Sequence, residues 1–352
     1  MLENAKYFLS VNSAEGFFSE FSNCYEPKKG WRAYIIKGGP GNGKSSFMRK
    51  VLSRAKEMGM AVDEILCTGD PDSLDAVVIY DIKTVVMDGT APHVTDPLLP
   101  GVSDRILNFG DFWCDERLVQ HSDEIGSLFA KNKHLHFMAA QYIKAAGGIM
   151  KAAISLVADS KRQSADEKAA LTAAENYFKQ KERIPRETTR YLSGVTPKGL
   201  PDLSISMAAT VEHCLIINDP IGIAASGVIG SLRQVALKNG HDTVVFKNPI
   251  LPLQLIDGAF FPSVSLLVLR VDKTRKYVVR GEEIDLSGQY SAESIAESAM
   301  LTADMNMLLM RASQYLKKAK EVHDEIEKHY ISAMDFDMLN QYCDSVLSKI
   351  FK

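Results

Sequence analysis

The sequence predicts an α/β protein of two tandem domains, each built on a doubly wound, mostly parallel sheet with an added helical hairpin or arm. A short apolar strand, a glycine-rich loop and an amphipathic helix follow one another at residues 34–59. The same outline returns at residues 215–240, an offset of 181. A long apolar stripe at helical spacing follows each copy. We therefore expect one domain at 1–186 and a related domain at 187–352.

Composition and charge narrow the class of protein. The chain has 352 residues and a formal net charge of −3, so no basic excess indicates a nucleic-acid partner. Its five cysteines are odd in number and never spaced as CxxC, which favours reduced thiols in a cytoplasmic protein over disulfides or a zinc site. The N-terminus lacks the apolar segment of a signal peptide, and lysines interrupt the most apolar helical stretch, so neither secretion nor a membrane span is expected.

The strongest local signal is the run YIIKGGPGNGKSSFM at residues 34–48. It contains the pattern G-x-x-x-x-G-K-[ST], with Gly38, Gly43, Lys44 and Ser45 at the fixed positions. A strand precedes the pattern, and a helix with an apolar stripe follows it and ends before Gly59. This is the context that a phosphate-binding loop requires. A glycine turn kept for packing alone needs neither the lysine nor the serine, so we favour the phosphate-binding interpretation.

The residue types explain how such a loop holds a nucleotide. Backbone N–H groups at the start of a helix gather phosphate oxygens with the help of the helix dipole, and glycines let the chain approach them. Lys44 would place its charge on the β- and γ-phosphates, and the Ser45 hydroxyl would ligate Mg²⁺. The predicted nucleotide-binding residues are Gly38, Gly39, Pro40, Gly41, Asn42, Gly43, Lys44, Ser45 and Ser46.

A carboxylate at the end of a neighbouring strand is also expected, because the loop needs further oxygen ligands around Mg²⁺. Asp88 follows the apolar run 85–87 and is predicted to be a catalytic residue and, with Ser45, a metal ligand. His93 lies five residues further on. A γ-phosphate sensor is one interpretation of this histidine, and a side chain that packs in a turn is the preferred one.

Further carboxylates follow an earlier strand, at about 62–67. That strand ends in TGDPDSLD, which puts Asp70, Asp72 and Asp75 just past its tip. Asp70 or Asp72 is the candidate for positioning the attacking water or the substrate, and we select Asp70 as the third catalytic residue. A helix N-cap or an Asx turn is the alternative for each of them.

The second half repeats the outline of the first without its chemistry. Sliding residues 34–88 onto 215–269 without gaps aligns the strand, the helix stripe and the final glycine, and pairs Ser45 with Ser226. The replaced positions are Gly38 by Asp219, Gly43 by Ala224, Lys44 by Ala225, Asp70 by Leu251 and Asp88 by Leu269. We therefore expect the second domain to keep its fold, to bind no nucleotide and to brace the first domain.

Each half continues into a helical arm. The apolar positions at three- and four-residue spacing are Leu135, Met138, Tyr142, Ala145, Ile149, Ala152 and Leu156, and then Leu301, Met305, Leu308, Ala312, Tyr315, Ala319, Val322 and Ile326. A shorter helix is predicted after each stripe, at about 165–182 and 335–350. Helix-on-helix packing is the preferred role of the arms, and docking of a protein partner is the alternative. The charged segment 179–190 is predicted to link the halves.

Four stretches together resemble a known family. They read GGPGNGKSS, DPDSLDAV, MDGTAPHVTDPLLPG and HDEIEKHYISAMDF. They are similar to an uncharacterised family of tandem P-loop ATPase-like proteins, found mainly in Gram-positive, often spore-forming bacteria. The resemblance spans nearly the whole chain and implies a cytoplasmic nucleotide-binding protein of two related halves, with Lys44, Ser45 and Asp88 at the motif positions. It implies no substrate. Members often carry a second glycine-rich loop, from which IINDPIGIAASG departs.

These expectations combine into a Mg²⁺-dependent ATP-binding protein, an ATPase with one working and one degenerate P-loop domain. ATP is favoured over GTP because no NKxD-like segment follows a later strand. The alternatives are a phosphotransferase for a small metabolite or nucleotide, and a non-catalytic, nucleotide-gated scaffold. The predicted ligands are ATP and Mg²⁺. A protein bound to the arms and a second copy of the chain are the candidate macromolecular partners, whereas nucleic acid and membrane are not expected.

Overall fold

The computed structural model describes residues 4–158, 177–271 and 281–352. Within these ranges the chain is an α/β protein with two mixed six-stranded sheets, so the predicted fold class is confirmed at this level. The first sheet contains β1 (Lys6–Tyr7), β4 (Arg32–Lys37), β5 (Val62–Leu66), β6 (Leu74–Ile79), β7 (Thr84–Asp88) and β8 (Asp104–Asn108). The second contains β9 (Glu187–Arg190), β10 (His213–Asn218), β11 (Thr243–Lys247), β12 (Ile256–Phe261), β13 (Leu266–Val271) and β14 (Glu282–Asp285). A separate hairpin joins β2 (Ser10–Ser13) to β3 (Gly16–Ser19).

The helices of the described ranges are α1 (Lys44–Glu57), α2 (Asp115–Gln120), α3 (Ser122–Ala158), α4 (Ser204–Ala208), α5 (Ile223–Lys238), α6 (Ala292–Ala333) and α7 (Phe336–Ile350). The helix predicted at 335–350 is confirmed by α7. Of the helix predicted at 165–182, residues 165–176 lie outside the described residues and 177–182 form no helix. None of the helices in the described part of the chain has the length and apolar character that crossing a bilayer requires.

The two sheets have the same strand order. The first runs β1-β5-β6-β7-β4-β8, and the second, read from β9, runs β9-β11-β12-β13-β10-β14. In each sheet the third strand is antiparallel to both neighbours and the other neighbouring pairs are parallel. The sheets are therefore mixed rather than mostly parallel, because short turns reverse the chain on both sides of β6 and of β12.

One face of each sheet is covered by the other sheet. Tyr34 and Ile36 of β4 belong to an apolar core that contains Phe47 of α1, whereas Ile35 belongs to a core shared with Phe246 of β11. The outer face of the second sheet packs on α5 in the same way. The expected doubly wound arrangement, with helices on both faces, is wrong. Strands buried on both faces have continuous apolar sequences whichever layer covers them, so the sequence pattern could not distinguish the two arrangements.

Reciprocal contacts relate the two halves. The Glu15 carboxylate accepts the backbone N–H of Leu253 at 2.9 Å, and Lys198 forms an ion pair with Asp72. Glu15 and Lys198 are 183 residues apart, and Asp72 and Leu253 are 181 residues apart. Glu15 in the first half therefore contacts the turn after β11, and Lys198, at nearly the corresponding place in the second half, contacts the turn after β5. This is the pseudo-two-fold pattern expected when a duplicated chain packs on itself.

The segment predicted to link the halves is partly a strand. Residues 187–190 form β9, which pairs in parallel with β11. The guanidinium of the buried Arg190 lies 4.2 Å from the centroid of the Tyr7 ring. The Tyr7 and Tyr80 hydroxyls both donate to the buried carboxylate of Asp63, at 3.0 and 2.6 Å. Buried charges such as Arg190 and Asp63 need polar or aromatic partners, and here the partner Tyr7 comes from the first half. The end of the charged segment 179–190 is therefore part of the interface between the halves.

The two arms pack against each other as antiparallel helices. Tyr142 of α3 stacks on Tyr315 of α6, and the Asn132 side chain donates to the Ala319 carbonyl. The predicted stripe on α6 is buried or half-buried, which confirms helix-on-helix packing. The stripe predicted on α3 is only partly correct, since Leu135, Met138, Tyr142 and Ile149 are half-buried whereas Ala145, Ala152 and Leu156 are exposed. The fully buried residues include Ala139, Ile143, Ala146 and Ala153, each one residue beyond a predicted position.

The last helix of the chain packs on the first sheet domain. Leu339, Cys343 and Val346 of α7 lie in the same core as Phe47 and Val51 of α1. The predicted division at residue 186 therefore leaves, in the second half of the sequence, a helix that packs on the first half. The preceding helix, α6, returns the chain across the first sheet domain to reach this position.

Candidate functional site

The glycine loop, residues 38–43, joins the end of β4 to the start of α1. β4 lies between β7 and β8 and is parallel to both, so the loop lies where three parallel strands end. Gly41 and Gly43 have φ angles of 66° and 82°, which a residue with a Cβ adopts only with strain. The helix begins at Lys44 and includes Ser45. The predicted strand and helix therefore flank the predicted loop.

The structure brings two predicted site residues, Lys44 and Asp88, together beside this loop. The Lys44 ammonium lies 3.8 Å from Asp88 Oδ2 and donates to the Gly39 carbonyl at 2.6 Å. The other carboxylate oxygen of Asp88 accepts from the backbone and hydroxyl of Thr90 at 2.9 and 2.7 Å. Thr90 therefore fixes the orientation of the carboxylate and leaves Oδ2 facing the lysine.

A third charged residue of this cluster is Asp75, which the sequence placed beyond a strand tip. Ala76 lies opposite Met87 in the antiparallel register of β6 and β7, which sets Asp75 opposite Asp88. Burial raises the pKa of Asp75 to about 6; the His93 ring, 3.6 Å away, opposes this rise and the Asp88 charge adds to it. The apolar run at 74–79 was the signal that could have shown a strand beginning here.

Asp70 and His93 have structural contacts. Asp70 accepts the Ser73 hydroxyl at 2.9 Å within the turn between β5 and β6, and it lies 3.6 Å from Lys320 of α6. These contacts are those of the turn-forming alternative. The His93 ring stacks on Phe21 with a centroid distance of 4.6 Å, which is a packing contact.

The serine of the motif has a structural role in both halves. The Ser45 hydroxyl accepts the backbone N–H of Leu74 at 3.1 Å, and Ser226 accepts that of Ile256 at 2.9 Å. Each serine ties its helix to the first residue of the antiparallel strand of its sheet, β6 or β12. This contact explains why Ser226 persists in a loop that has lost its lysine. A hydroxyl oxygen has a second lone pair, so the contact leaves Ser45 able to bind a cation.

The end of α6 lies across the glycine loop. The Gly41 N–H donates to Glu327 Oε1 at 3.3 Å, and a Cβ on Gly41 would come within 2.9 Å of the Glu327 carbonyl oxygen. A Cβ on Gly39 would likewise come within 3.0 Å of the Trp113 ring and 3.2 Å of the Tyr330 ring. This part of the arm therefore covers the loop at contact distance.

Glu327 places a negative charge on the loop. A hydrogen bond from His323 holds the pKa of Glu327 below its usual range, and the Lys320 charge and the Gly41 N–H act in the same direction. The side chain is therefore an anion at neutral pH. Backbone N–H groups at the start of a helix attract anions, and here a carboxylate from a residue 286 positions away meets one of them.

The second loop, residues 219–222, holds an anion of its own. The fully buried Asp219 carboxylate accepts the backbone N–H groups of Ile221, Gly222 and Ala225 at 3.0, 2.8 and 2.8 Å. These are the donors at the start of α5 that would otherwise face a phosphate. The aspartate that replaces the first glycine of the motif therefore accepts the N–H groups that a phosphate would need.

The predicted replacement of Asp88 by Leu269 is wrong by one residue. The strand registers place Arg270 at the position of Asp88, because the connection from β11 to β12 is one residue longer than that from β5 to β6. Asp257 then corresponds to Asp75, and Arg270 Nη1 lies 3.3 Å from its carboxylate. Where the first half sets two carboxylates opposite each other, the second sets a carboxylate opposite a guanidinium.

Replacing Asp219 with alanine is expected to lower the free energy of unfolding by about 2–4 kcal/mol, since three buried N–H groups lose their acceptor. Asp219→Asn keeps one acceptor oxygen and should cost less. Urea denaturation of the two variants beside the unaltered chain measures both values. A loss below about 0.5 kcal/mol for the alanine variant would show that water replaces the carboxylate without cost.

All four stretches that carry the family resemblance contribute to the surroundings of the glycine loop, through the loop itself, Asp75, Asp88 and Glu327. Comparison of the chain with protein-family models, with curated proteins and with solved structures returns no match. The function must therefore be inferred from the residues themselves.

Proposed function

We propose that the chain is a cytoplasmic, Mg²⁺-dependent ATP-binding protein and an ATPase with one working nucleotide site, related to the tandem P-loop ATPase-like family. The observation that carries the proposal is the approach of Lys44 to Asp88 at the glycine loop, with Ser45 next to Lys44 in the first turn of α1. An α/β fold alone supports no particular activity, whereas this combination of charge, hydroxyl and carboxylate suits a nucleotide with its cation.

The residues at the loop fit a phosphate chain and Mg²⁺. The Lys44 ammonium and the Gly41 N–H already donate to a carbonyl and a carboxylate oxygen, which phosphate oxygens can replace. The buried Asn42 Nδ2 has no hydrogen-bond partner within the described residues. The Ser45 hydroxyl and Asp88 Oδ2 supply the oxygen ligands that Mg²⁺ prefers. When bound, Mg²⁺ neutralises charge on the transferring phosphoryl group.

Asp75 is the residue we assign to the attacking water. It lies opposite Asp88, and its raised pKa makes it a better proton acceptor near neutral pH than an ordinary aspartate. In the proposed reaction Asp75 orients the water and accepts its proton. The water oxygen bonds to the γ-phosphorus while the bond from that phosphorus to the β–γ bridging oxygen breaks, ADP leaves, and Lys44 stabilises charge on the phosphates. This role replaces the one predicted for Asp70, whose carboxylate is engaged by Ser73 and Lys320.

Glu327 is expected to compete with ATP for the loop, because its carboxylate occupies a donor that a phosphate would use. Glu327→Gln removes the charge at almost constant size and should tighten binding of a non-hydrolysable ATP analogue by roughly threefold to tenfold, since a hydrogen bond to a neutral amide oxygen is about 1 kcal/mol weaker than one to a carboxylate. Glu325→Gln, two residues away on the exposed side and paired with Lys328, is the matched control. Unchanged or weaker binding of the analogue to the Glu327 variant would contradict the competition.

The experiment that tests the proposal measures phosphate release from Mg·ATP by the purified chain, alone and with pooled cytoplasmic metabolites. An ATPase releases free phosphate without an acceptor, slowly if α6 must first leave the loop. Labelled γ-phosphate recovered on a small molecule would instead indicate the phosphotransferase alternative. ATP binding without release or transfer would indicate a nucleotide-gated scaffold, which the contact between α6 and the loop favours as the second candidate.

A further inference from the structure

A cavity of about 150 Å³ lies beside the second loop, at the edge of the second sheet that corresponds to the glycine-loop edge of the first. It is bounded by Ile221 of the loop, Lys247 at the end of β11 and Arg270 of β13. Ligands of open α/β sheets bind at this edge, outside the carboxyl ends of the strands. An apolar cavity of this volume in another protein accommodates benzene.

One wall of the cavity is polar and rigid. Asp257 accepts the Asn248 side chain at 2.9 Å and pairs with Arg270, and the Asn248 oxygen accepts two backbone N–H groups. These groups satisfy one another. Lys247 differs from them, since its ammonium forms neither a hydrogen bond nor an ion pair within residues 4–158, 177–271 and 281–352. The buried Ser204 hydroxyl, also in the wall, lacks a partner within the same residues.

The opposite wall comes from the arms and is mostly apolar, with Ser298, Thr302 and Asn306 of α6 as its polar residues. Ile149, Met150 and Ile154 of α3 face the cavity, and Leu301, Met305 and Leu309 of α6 complete this wall. The wall is built by helices that pack on each other elsewhere along their length. An apolar body would therefore be enclosed between the arms, with a polar group directed toward the strand ends.

We propose that this cavity binds a small monocarboxylate with an apolar body of about benzene size. The Lys247 ammonium is the cation for the carboxylate, the Ser204 hydroxyl is a hydrogen-bond donor, and the arms cover the apolar body. A nucleotide is not the ligand of this edge, because the Asp219 carboxylate fills the loop that would hold its phosphates. The site is independent of the ATP site proposed for the first half.

Benzoate is the probe that tests this site on the full chain. With methionine methyl groups labelled, the Met150 and Met305 resonances should shift saturably with benzoate, and that of Met48, in the core of the first half, should not. Benzyl alcohol matches the probe in size without a charge, and benzylammonium matches it with the opposite charge. Each is expected to bind at least about tenfold more weakly than benzoate, because a charge-assisted hydrogen bond is lost.

Two substitutions identify the cation. Lys247→Met should weaken benzoate binding at least about tenfold and leave benzyl alcohol unchanged, whereas Lys247→Arg should retain most of the affinity. Lys238→Met, an exposed lysine of α5 outside the cavity, is the matched control. Benzoate binding to Lys44→Ala should equal that to the unaltered chain, which separates this site from the ATP site. Equal affinity for benzoate and benzyl alcohol, or no saturable shift of Met150 and Met305, would overturn the proposal.

Discussion

Replacing Lys44 with alanine is expected to abolish turnover and to weaken Mg·ATP binding by about 100-fold or more, as for other groups that stabilise charge at a reacting centre. The Lys44 ammonium contacts a carbonyl oxygen, Asn42 Oδ1 and Asp88, and its loss removes no apolar core contact. The fold should therefore persist, with a thermal midpoint within a few degrees of the unaltered chain.

Phosphate release and titration with a non-hydrolysable ATP analogue measure the two effects. Lys50→Ala removes an exposed lysine from the same helix and is the matched control. Phosphate release that continues at the original rate in Lys44→Ala would show that the glycine loop is not the active site.

Asp75→Asn is expected to lower turnover by about 10²–10⁴-fold, the usual contribution of a general base. The same change should stabilise the protein. Ionising a buried carboxyl whose pKa has risen from an ordinary 3.8 to about 6 costs about 3 kcal/mol, and asparagine avoids this cost. At about pH 7.5 the variant should therefore unfold at a higher urea concentration than the unaltered chain. Loss of activity with a gain of stability distinguishes a functional carboxylate from a structural one.

The raised pKa of Asp75 determines how the stability of the folded chain changes with pH. The folded-state pKa of Asp75 is raised, so the folded chain holds this proton more tightly than the unfolded chain. Its contribution to stability is present below about pH 4 and is lost as the pH rises through about 6. The stability advantage of Asp75→Asn should thus be larger at about pH 7.5 than at about pH 5. Turnover of the unaltered chain should rise with pH through about 6. A turnover profile that is flat across this range would contradict the assignment of Asp75 as the base.

Local features of the site could be predicted from the sequence. The strand, glycine loop and helix at 34–59 depend on short-range periodicity and on glycine positions, and the structure contains them where the pattern indicates. The final helix, α7, also follows a local pattern. The repetition of the first half was visible because strand, helix and serine positions persist at a constant offset.

Features that depend on distant contacts could not be predicted. The contact between Glu327 and Gly41 joins residues 286 positions apart and leaves no periodic signal in either segment. The correspondence between Asp88 and Arg270 was missed because an ungapped comparison cannot detect one inserted residue in a turn. Asp75 was expected in the turn after the strand at about 62–67, but it lies in β6. The polar turn sequence continues directly into this antiparallel strand, so its start was not recognised.

Carboxylates occupy both loops, and the difference between them distinguishes the two halves. Asp219 belongs to the second loop itself and accepts three N–H groups, so no motion of another element can remove it. Glu327 reaches the glycine loop from α6 and accepts one N–H group, so a phosphate chain needs to displace only one hydrogen bond and the covering helix. The second half also has Asp257 and Arg270 at the positions of Asp75 and Asp88. In the second half, the Asp219 carboxylate thus takes the place of a bound anion and the Arg270 guanidinium that of a bound cation.

Calorimetric titration of the full chain with a non-hydrolysable ATP analogue and Mg²⁺ tests this account most directly. One nucleotide per chain is expected, because Asp219 fills the second loop. Ala225→Lys should leave the stoichiometry at one, since the added lysine does not remove the Asp219 carboxylate. A stoichiometry near two that falls to one when a bulky residue replaces Gly222 would show that the second loop binds nucleotide, and would contradict the division into one working and one internally filled site.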